Sequence, residues 1–279
     1  MKAIVNYLRL MRFHKPTAIF LLLWPALSAL WIAAGGWPGI KLFLIFVLGT
    51  VIMRSAGDII NDYADRDFDG FVDRTKQRPL ATGAIKPQHA LILFFILCLL
   101  AFILVLFLNL FTICLAFIGV AVTIIYPFTK RFFPAPQAVL GIAYAWGVPM
   151  GFAAVQNHIP LIGWELFIAT FIWIVMYDTQ YAMVDREDDK NLPIHSTALL
   201  FGKADKLIIG LLQLIFLSLM VLIGLQLNLT IFYYMALFVV LFLFIYQQVL
   251  IKDRVPANCF KAFLNNNWVG MVIFLGIIV

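Results

Sequence analysis

Residues 40–69 read IKLFLIFVLGTVIMRSAGDIINDYADRDFD. From Ile40 to Ile60 the stretch is apolar over about the twenty residues that one helix needs to cross a bilayer, its only charges being Lys41, Arg54 and Asp58. It then turns abruptly acidic. A spanning helix that ends in a set of carboxylates decides the fold class and points to the site.

Working outward, the same kind of apolar run recurs near Thr17–Gly35, Gln88–Leu108, Leu110–Pro127, Gln137–Val155, Ile162–Met183, Leu207–Leu225, Leu229–Ile251 and Asn265–Val279. With the first this predicts an all-α integral membrane protein, a bundle of nine transmembrane helices. The whole of residues 1–279 reads as a single membrane-embedded domain. The composition agrees, with 64% hydrophobic and 12% charged residues and a mean hydropathy of +1.00, which exclude a water-soluble globule or a disordered chain.

All but two of the 20 basic residues, Lys41 and Arg54, fall in loops on the side of the N-terminus. The net charge of +6 therefore reads as topology, and it predicts no nucleic-acid partner. By the positive-inside rule, the N-terminus and these loops are cytoplasmic and the C-terminus faces outward. The opposite turns are short, so function is expected at the cytoplasmic side. The bilayer is the implied partner, and no protein partner is indicated. Three cysteines and four histidines show no metal-ligand spacing.

Of the 14 acidic residues, all but Glu165, Asp205 and Asp253 lie in two windows, 58–73 and 178–189. Read as helix, Asp58, Asp62, Asp65 and Asp69 share a stripe roughly 60° wide. Asp178, Asp185 and Asp189 repeat three of those positions at a constant shift, so the windows read as an internal pseudo-repeat. Stacked carboxylates at helix ends suit hard divalent cations such as Mg²⁺ that hold a polyphosphate. A cation transporter is the rival reading, opposed by the clustering of carboxylates at the cytoplasmic surface instead of the midplane. The loop Asp73–Gly83 adds Arg74, Lys76 and Arg78, and a later loop adds Lys130 and Arg131, as cations for an anionic substrate. Arg54, inside the second span, is either a partner for Asp58 or a clamp for an anion.

The segment Asn61-Asp62-Tyr63-Ala64-Asp65-Arg66-Asp67-Phe68-Asp69 resembles the NDxxDxxxD motif of the UbiA superfamily of intramembrane prenyltransferases. Tyr177 to Asp189 resembles its second acidic motif, and the likeness implies that the nine helices surround a central cavity capped by cytoplasmic loops. Within the superfamily the likeness is nearest to members that prenylate 4-hydroxybenzoate, with further agreement at Lys15-Pro16, Arg78-Pro79-Leu80, Tyr126-Pro127-Phe128 and Cys259 to Asn267. The resemblance implies transfer of a polyprenyl group from polyprenyl diphosphate to the ring carbon ortho to the hydroxyl of 4-hydroxybenzoate, in ubiquinone biosynthesis, at the bacterial inner membrane and with Mg²⁺. A relative using another aromatic acceptor is the alternative. It also implies that Asp65, Asp69, Asp185 and Asp189 are the catalytic, metal-binding carboxylates, with Asn61 and Asp62 supporting the metal. Arg131 is then a candidate for the acceptor's carboxylate, beside Arg54, Arg74, Lys76, Arg78 and Lys130 as substrate-binding cations.

Overall fold

Inside a bilayer a long apolar segment satisfies its backbone only by closing into a helix, and each apolar run above does so. A computed structural model describes residues 2–279, apart from the side chain of Lys2, one of the basic residues counted above, which lies outside the described set. The helices are α1 (Lys2–Leu10), α2 (Thr17–Ala34), α3 (Ile40–Asp65), α4 (Pro87–Val105), α5 (Leu110–Thr129), α6 (Pro136–Ala145), α7 (Gly147–Gln156), α8 (Leu161–Ala182), α9 (Arg186–Asp189), α10 (Thr197–Phe201), α11 (Asp205–Gln226), α12 (Ile231–Ile251) and α13 (Pro256–Ile278). Among the described residues nine segments are long and apolar enough to cross a membrane: α2 to α5, α6 with α7, α8, α10 with α11, α12 and α13. No strand occurs among the described residues.

α8 lies at the centre, burying Trp173, Ile174, Met176 and Tyr177 in a core shared with α2, α11, α12 and α13. The outward faces carry large apolar side chains such as Phe95, Phe238 and Phe242, as helices solvated by lipid do.

Four features depart from the expected spans. α3 continues past Ile60 to Asp65, so Asp58, Asp62 and Asp65 do share one helix. Asp69 does not, because the chain leaves the helix and Asp69 opens a 3₁₀ turn, Asp69–Phe71. The fifth span is broken at Trp146, where Pro149 has no N–H to return to the Ala145 carbonyl. The Trp146 indole donates instead to the carbonyl of Leu115, at 2.8 Å, over Gly119, whose missing Cβ would stand 2.7 Å from the ring. The last span starts at Pro256, not at Asn265, because a proline at the first helical position costs no hydrogen bond. Finally, α1 forms ahead of the first span, burying Leu10 while Ile4, Val5 and Leu8 stay exposed.

The early start of α13 puts the three asparagines inside a spanning helix, where each amide needs a partner. Asn266 accepts from Trp173 Nε1 at 3.0 Å and donates to Gln180 Oε1 at 2.9 Å, and Asn267 accepts from Trp24 Nε1 at 3.0 Å. Gly270 lets both indoles approach: a Cβ there would lie 2.7 Å from Trp24 and 2.8 Å from Trp173. Gly270→Ala is expected to destabilise the fold by about 1–3 kcal/mol through overpacking, read as a lower melting temperature in detergent.

Candidate active site

The two acidic motifs open on one cavity of about 550 Å³ at the ends of α2, α3, α5, α6, α8 and α13. Its wall includes Asn61, Asp62, Asp65, Asp69, Asp185 and Asp189, together with Arg54, Arg74, Arg78 and Lys130. Residues from positions 54 to 189 thus meet in one chamber, as their grouping in the sequence predicts.

The second motif also leaves its helix. α8 ends at Ala182, Asp185 precedes the single turn α9, and Asp189 closes that turn. The carboxylate stripe expected from offsets 0, 7 and 11 is therefore two short pieces of backbone, not one helix face. Residues 185–189 are all charged and give the helix no apolar face to bury, so packing no longer holds it.

Three of the four motif carboxylates, Asp65, Asp69 and Asp185, are paired with cations. Lys130 reaches across from the end of α5 to Asp65 at 2.5 Å and to Asn61 Oδ1 at 2.9 Å. Arg74 forks onto Asp185, its Nε at 2.9 and 3.0 Å from the two oxygens, and also donates to the Tyr181 hydroxyl. Arg78 donates to both oxygens of Asp69 at 2.9 Å and meets Asp62 at 3.0 Å. Arg12, from the turn between α1 and α2, stands 2.7 Å from Asp62 and 3.1 Å from Asp58. Arg54 pairs with Asp58 at 2.5 Å. Asp178 and Asp189 line the same wall and make no ion pair among the described residues.

The electrostatics follow from burial. Asp69, although beside Arg78, is pushed up to about 6 mainly by desolvation. Asp189 is pushed up to about 7 by desolvation and by the neighbouring charge of Asp185. A cation bound there would favour the charged carboxylates and draw both values back down.

Arg54 and Tyr177, also on the wall, are deeply buried, and the Arg54 Nε and the Tyr177 hydroxyl have no hydrogen-bond partner among the described residues. The Tyr144 ring lies under the Arg54 guanidinium at 5.5 Å. A buried N–H and O–H without partners are costly alone and useful to a ligand that brings an acceptor.

Two predicted cations are not on this wall. Lys76 is exposed and pairs with Asp73 at 2.6 Å. Its place three residues after Asp73, in a solvated turn, gives it a local partner. Lys76→Ala should leave kcat/KM within about two-fold, as exposed pairs contribute little. Arg131 is also exposed: it stacks beside Phe68 and Phe128 and donates to the Ala64 carbonyl at 2.7 Å, closing the last turn of α3. Asp62, expected to support the metal directly, is committed to two guanidiniums.

Arg12, Tyr126, Tyr144 and Tyr177 line the cavity without having been named as site residues, and Asp178, read above as part of the acid stripe, lines it with them. Arg12 reads in sequence as a positive-inside flank, and only its reach to Asp58 and Asp62 distinguishes it. The tyrosines carry no signal that separates them from packing residues.

Comparison with known proteins gives concordant results. The family model described as the UbiA prenyltransferase family matches residues 22–273. A protein of Coxiella burnetii named 4-hydroxybenzoate octaprenyltransferase is 54% identical over 275 residues, covering 99% of this chain and 96% of that one. A protein of the same name from Aeromonas salmonicida is 50% identical over 272 residues, covering 98% and 94%. Among solved structures, the apo UbiA homolog from Aeropyrum pernix superposes with a TM-score of 0.82 at 24% identity, covering 94% of this chain and 96% of that one. The UbiA homolog from Archaeoglobus fulgidus bound to GPP and Mg²⁺ does so with 0.74 at 19%, covering 98% and 100%.

Proposed function

The chain belongs to the UbiA prenyltransferase family, and on that premise we propose that it transfers a polyprenyl group from polyprenyl diphosphate to the ring carbon ortho to the hydroxyl of 4-hydroxybenzoate. One observation carries the reading: a single cavity is lined by both acidic motifs and, eight residues before Asp62 on α3, by a buried guanidinium whose Nε–H has no partner among the described residues. The motifs suit a diphosphate, the guanidinium a carboxylate.

Mg²⁺ fits the donor set. No three His, Cys, Asp or Glu side chains among the described residues converge to chelate an ion by themselves. Mg²⁺ takes one or two carboxylates, keeps waters and completes its shell with substrate phosphates, so oxygen donors divided between two motifs match an ion shared with a diphosphate. Asp65 and Asp69 from the first motif and Asp185 and Asp189 from the second would hold it, Asn61 and Asp62 supporting them. When bound, the ion supplies Lewis-acid charge to the departing diphosphate.

The side chains do the rest. Arg74, Arg78 and Lys130 give the diphosphate oxygens cationic donors at a fixed place. Arg54 takes the acceptor carboxylate, with Tyr144 beneath it and the Tyr177 hydroxyl beside the same wall, and so holds the ring in one orientation. The allylic C–O bond breaks with its electrons on the diphosphate, the ring carbon attacks the cation, and the ring proton passes to the released diphosphate. Phe260, Phe263, Leu140 and Leu264 line the chamber and keep water from the cation.

The chain is a single multi-pass unit of the bacterial inner membrane, with the cavity mouth in the cytoplasm. The loop distribution of Lys and Arg supports this orientation. The testing experiment is incorporation of labelled 4-hydroxybenzoate into lipid by membranes carrying the protein, given a polyprenyl diphosphate. Labelling that requires Mg²⁺ and stops on full chelation supports the reading. Folded protein that labels a different aromatic acceptor, and not this one, refutes the acceptor assignment.

A further inference from the structure

Asp185 and Asp189 of the second acidic motif stand beyond the end of α8, on turns whose only helix is the four-residue α9. A node outside the cavity holds this segment. Asp205, at the start of α11, is fully buried and accepts from Arg186 Nη1 at 2.8 Å, from Arg254 Nη2 at 2.7 Å and Nε at 3.0 Å, and from the Lys206 N–H at 2.7 Å. Arg186 Nη2 also donates to the carbonyls of Ala198 and Gly202, each at 2.5 Å. Arg254 Nη2 donates to the Lys203 carbonyl at 2.9 Å. The segment after α8, the α10–α11 joint and the α12–α13 connection thus meet on one carboxylate. Arg254 has φ of 54°, a left-handed conformation that a non-glycine residue keeps only where its surroundings impose it.

Stability alone is a weak reason for this arrangement, since a buried ion cluster is often matched by apolar side chains of similar volume. Its place is informative. Arg186 follows Asp185 directly, and Asp185 is the carboxylate that faces the cavity and receives Arg74.

We propose that Asp205 and Arg254 are positioning residues for the second acidic motif: acting through Arg186, they fix where Asp185 and Asp189 stand to receive a divalent cation. This rests on the reading above that those carboxylates hold metal. Partners of metal ligands typically change affinity 10–100-fold when removed.

The test is Mn²⁺ binding, followed by the electron paramagnetic resonance of free Mn²⁺, to the full chain in detergent with a prenyl thiolodiphosphate that cannot ionise. Arg254→Met should bind Mn²⁺ about ten-fold or more weakly. Arg254→Lys, which keeps the charge but loses the planar fork, should lose less, and the KM for the acceptor should not move in either. Wild-type Mn²⁺ affinity in Arg254→Met overturns the proposal, even with a lowered melting temperature, because the node would then be structural only. Should Arg254→Met fail to fold, wild-type affinity in Arg254→Lys overturns it equally. Absence of Mn²⁺ binding by the wild type would refute the metal reading, and the positioning role with it, before any variant is compared.

Discussion

Asp185→Asn should cut turnover by about a thousand-fold while leaving the protein folded. The carboxylate is mostly buried, its side chain 12% exposed, and it faces the cavity, where its charge serves two ends. It holds the Arg74 fork, and it is one of the donors proposed for the cation. Without it the cation and the Arg74 guanidinium lose the anchor that places their positive charge at the departing diphosphate, a loss that costs several kcal/mol, and each 1.4 kcal/mol is about ten-fold in rate. Arg74 would keep its contact with the Tyr181 hydroxyl and its place over that ring, 4.5 Å from the centroid, so misfolding is not the expected cause. The check is labelled 4-hydroxybenzoate incorporation at several Mg²⁺ concentrations. Normal turnover in Asp185→Asn would remove the second motif from the chemistry.

Arg54→Ala should raise the KM for 4-hydroxybenzoate by about a hundred-fold or more, with the KM for the prenyl diphosphate little changed. A desolvated, charge-assisted pair typically contributes about 2–5 kcal/mol when one partner is truncated. Asp58 would not be stranded, because Arg12 also reaches it, at 3.1 Å. An acceptor analogue with an amide in place of the carboxylate gives the control. Wild type should discriminate strongly against it, and Arg54→Ala should treat the two nearly alike. An unchanged KM for 4-hydroxybenzoate in Arg54→Ala would move the carboxylate site elsewhere on the wall.

The spans were legible in the sequence because a bilayer admits little else for twenty apolar residues. The errors lie where that constraint stops. The helix ends of α3 and α8 depend on where a charged segment ceases to pack, so the acid stripe looked continuous through Asp69 and through Asp189 when each motif in fact steps off its helix. Polar residues misplaced the start of α13, since Asn265, Asn266 and Asn267 look like a loop until Trp24, Trp173 and Gln180 appear beside them. α1 has too few residues to register as a span. In the site, residue types were readable and pairings were not. Arg54 and Arg131 are equally plausible anion ligands on paper, and only burial separates them, one on the cavity wall and the other exposed beside Phe68. Arg12 looked like topology until its guanidinium was found between two carboxylates.

The chamber's cations and carboxylates are largely spent on one another. An incoming substrate must therefore win Arg74, Arg78 and Lys130 away from Asp185, Asp69 and Asp65, and only a ligand carrying much negative charge together with its own counter-ion can offer both sides a better partner. A prenyl monophosphate or a free prenyl alcohol offers less or nothing in return. Donors are thus screened by charge: a diphosphate with its counter-ion can displace these pairings, and an uncharged lipid cannot.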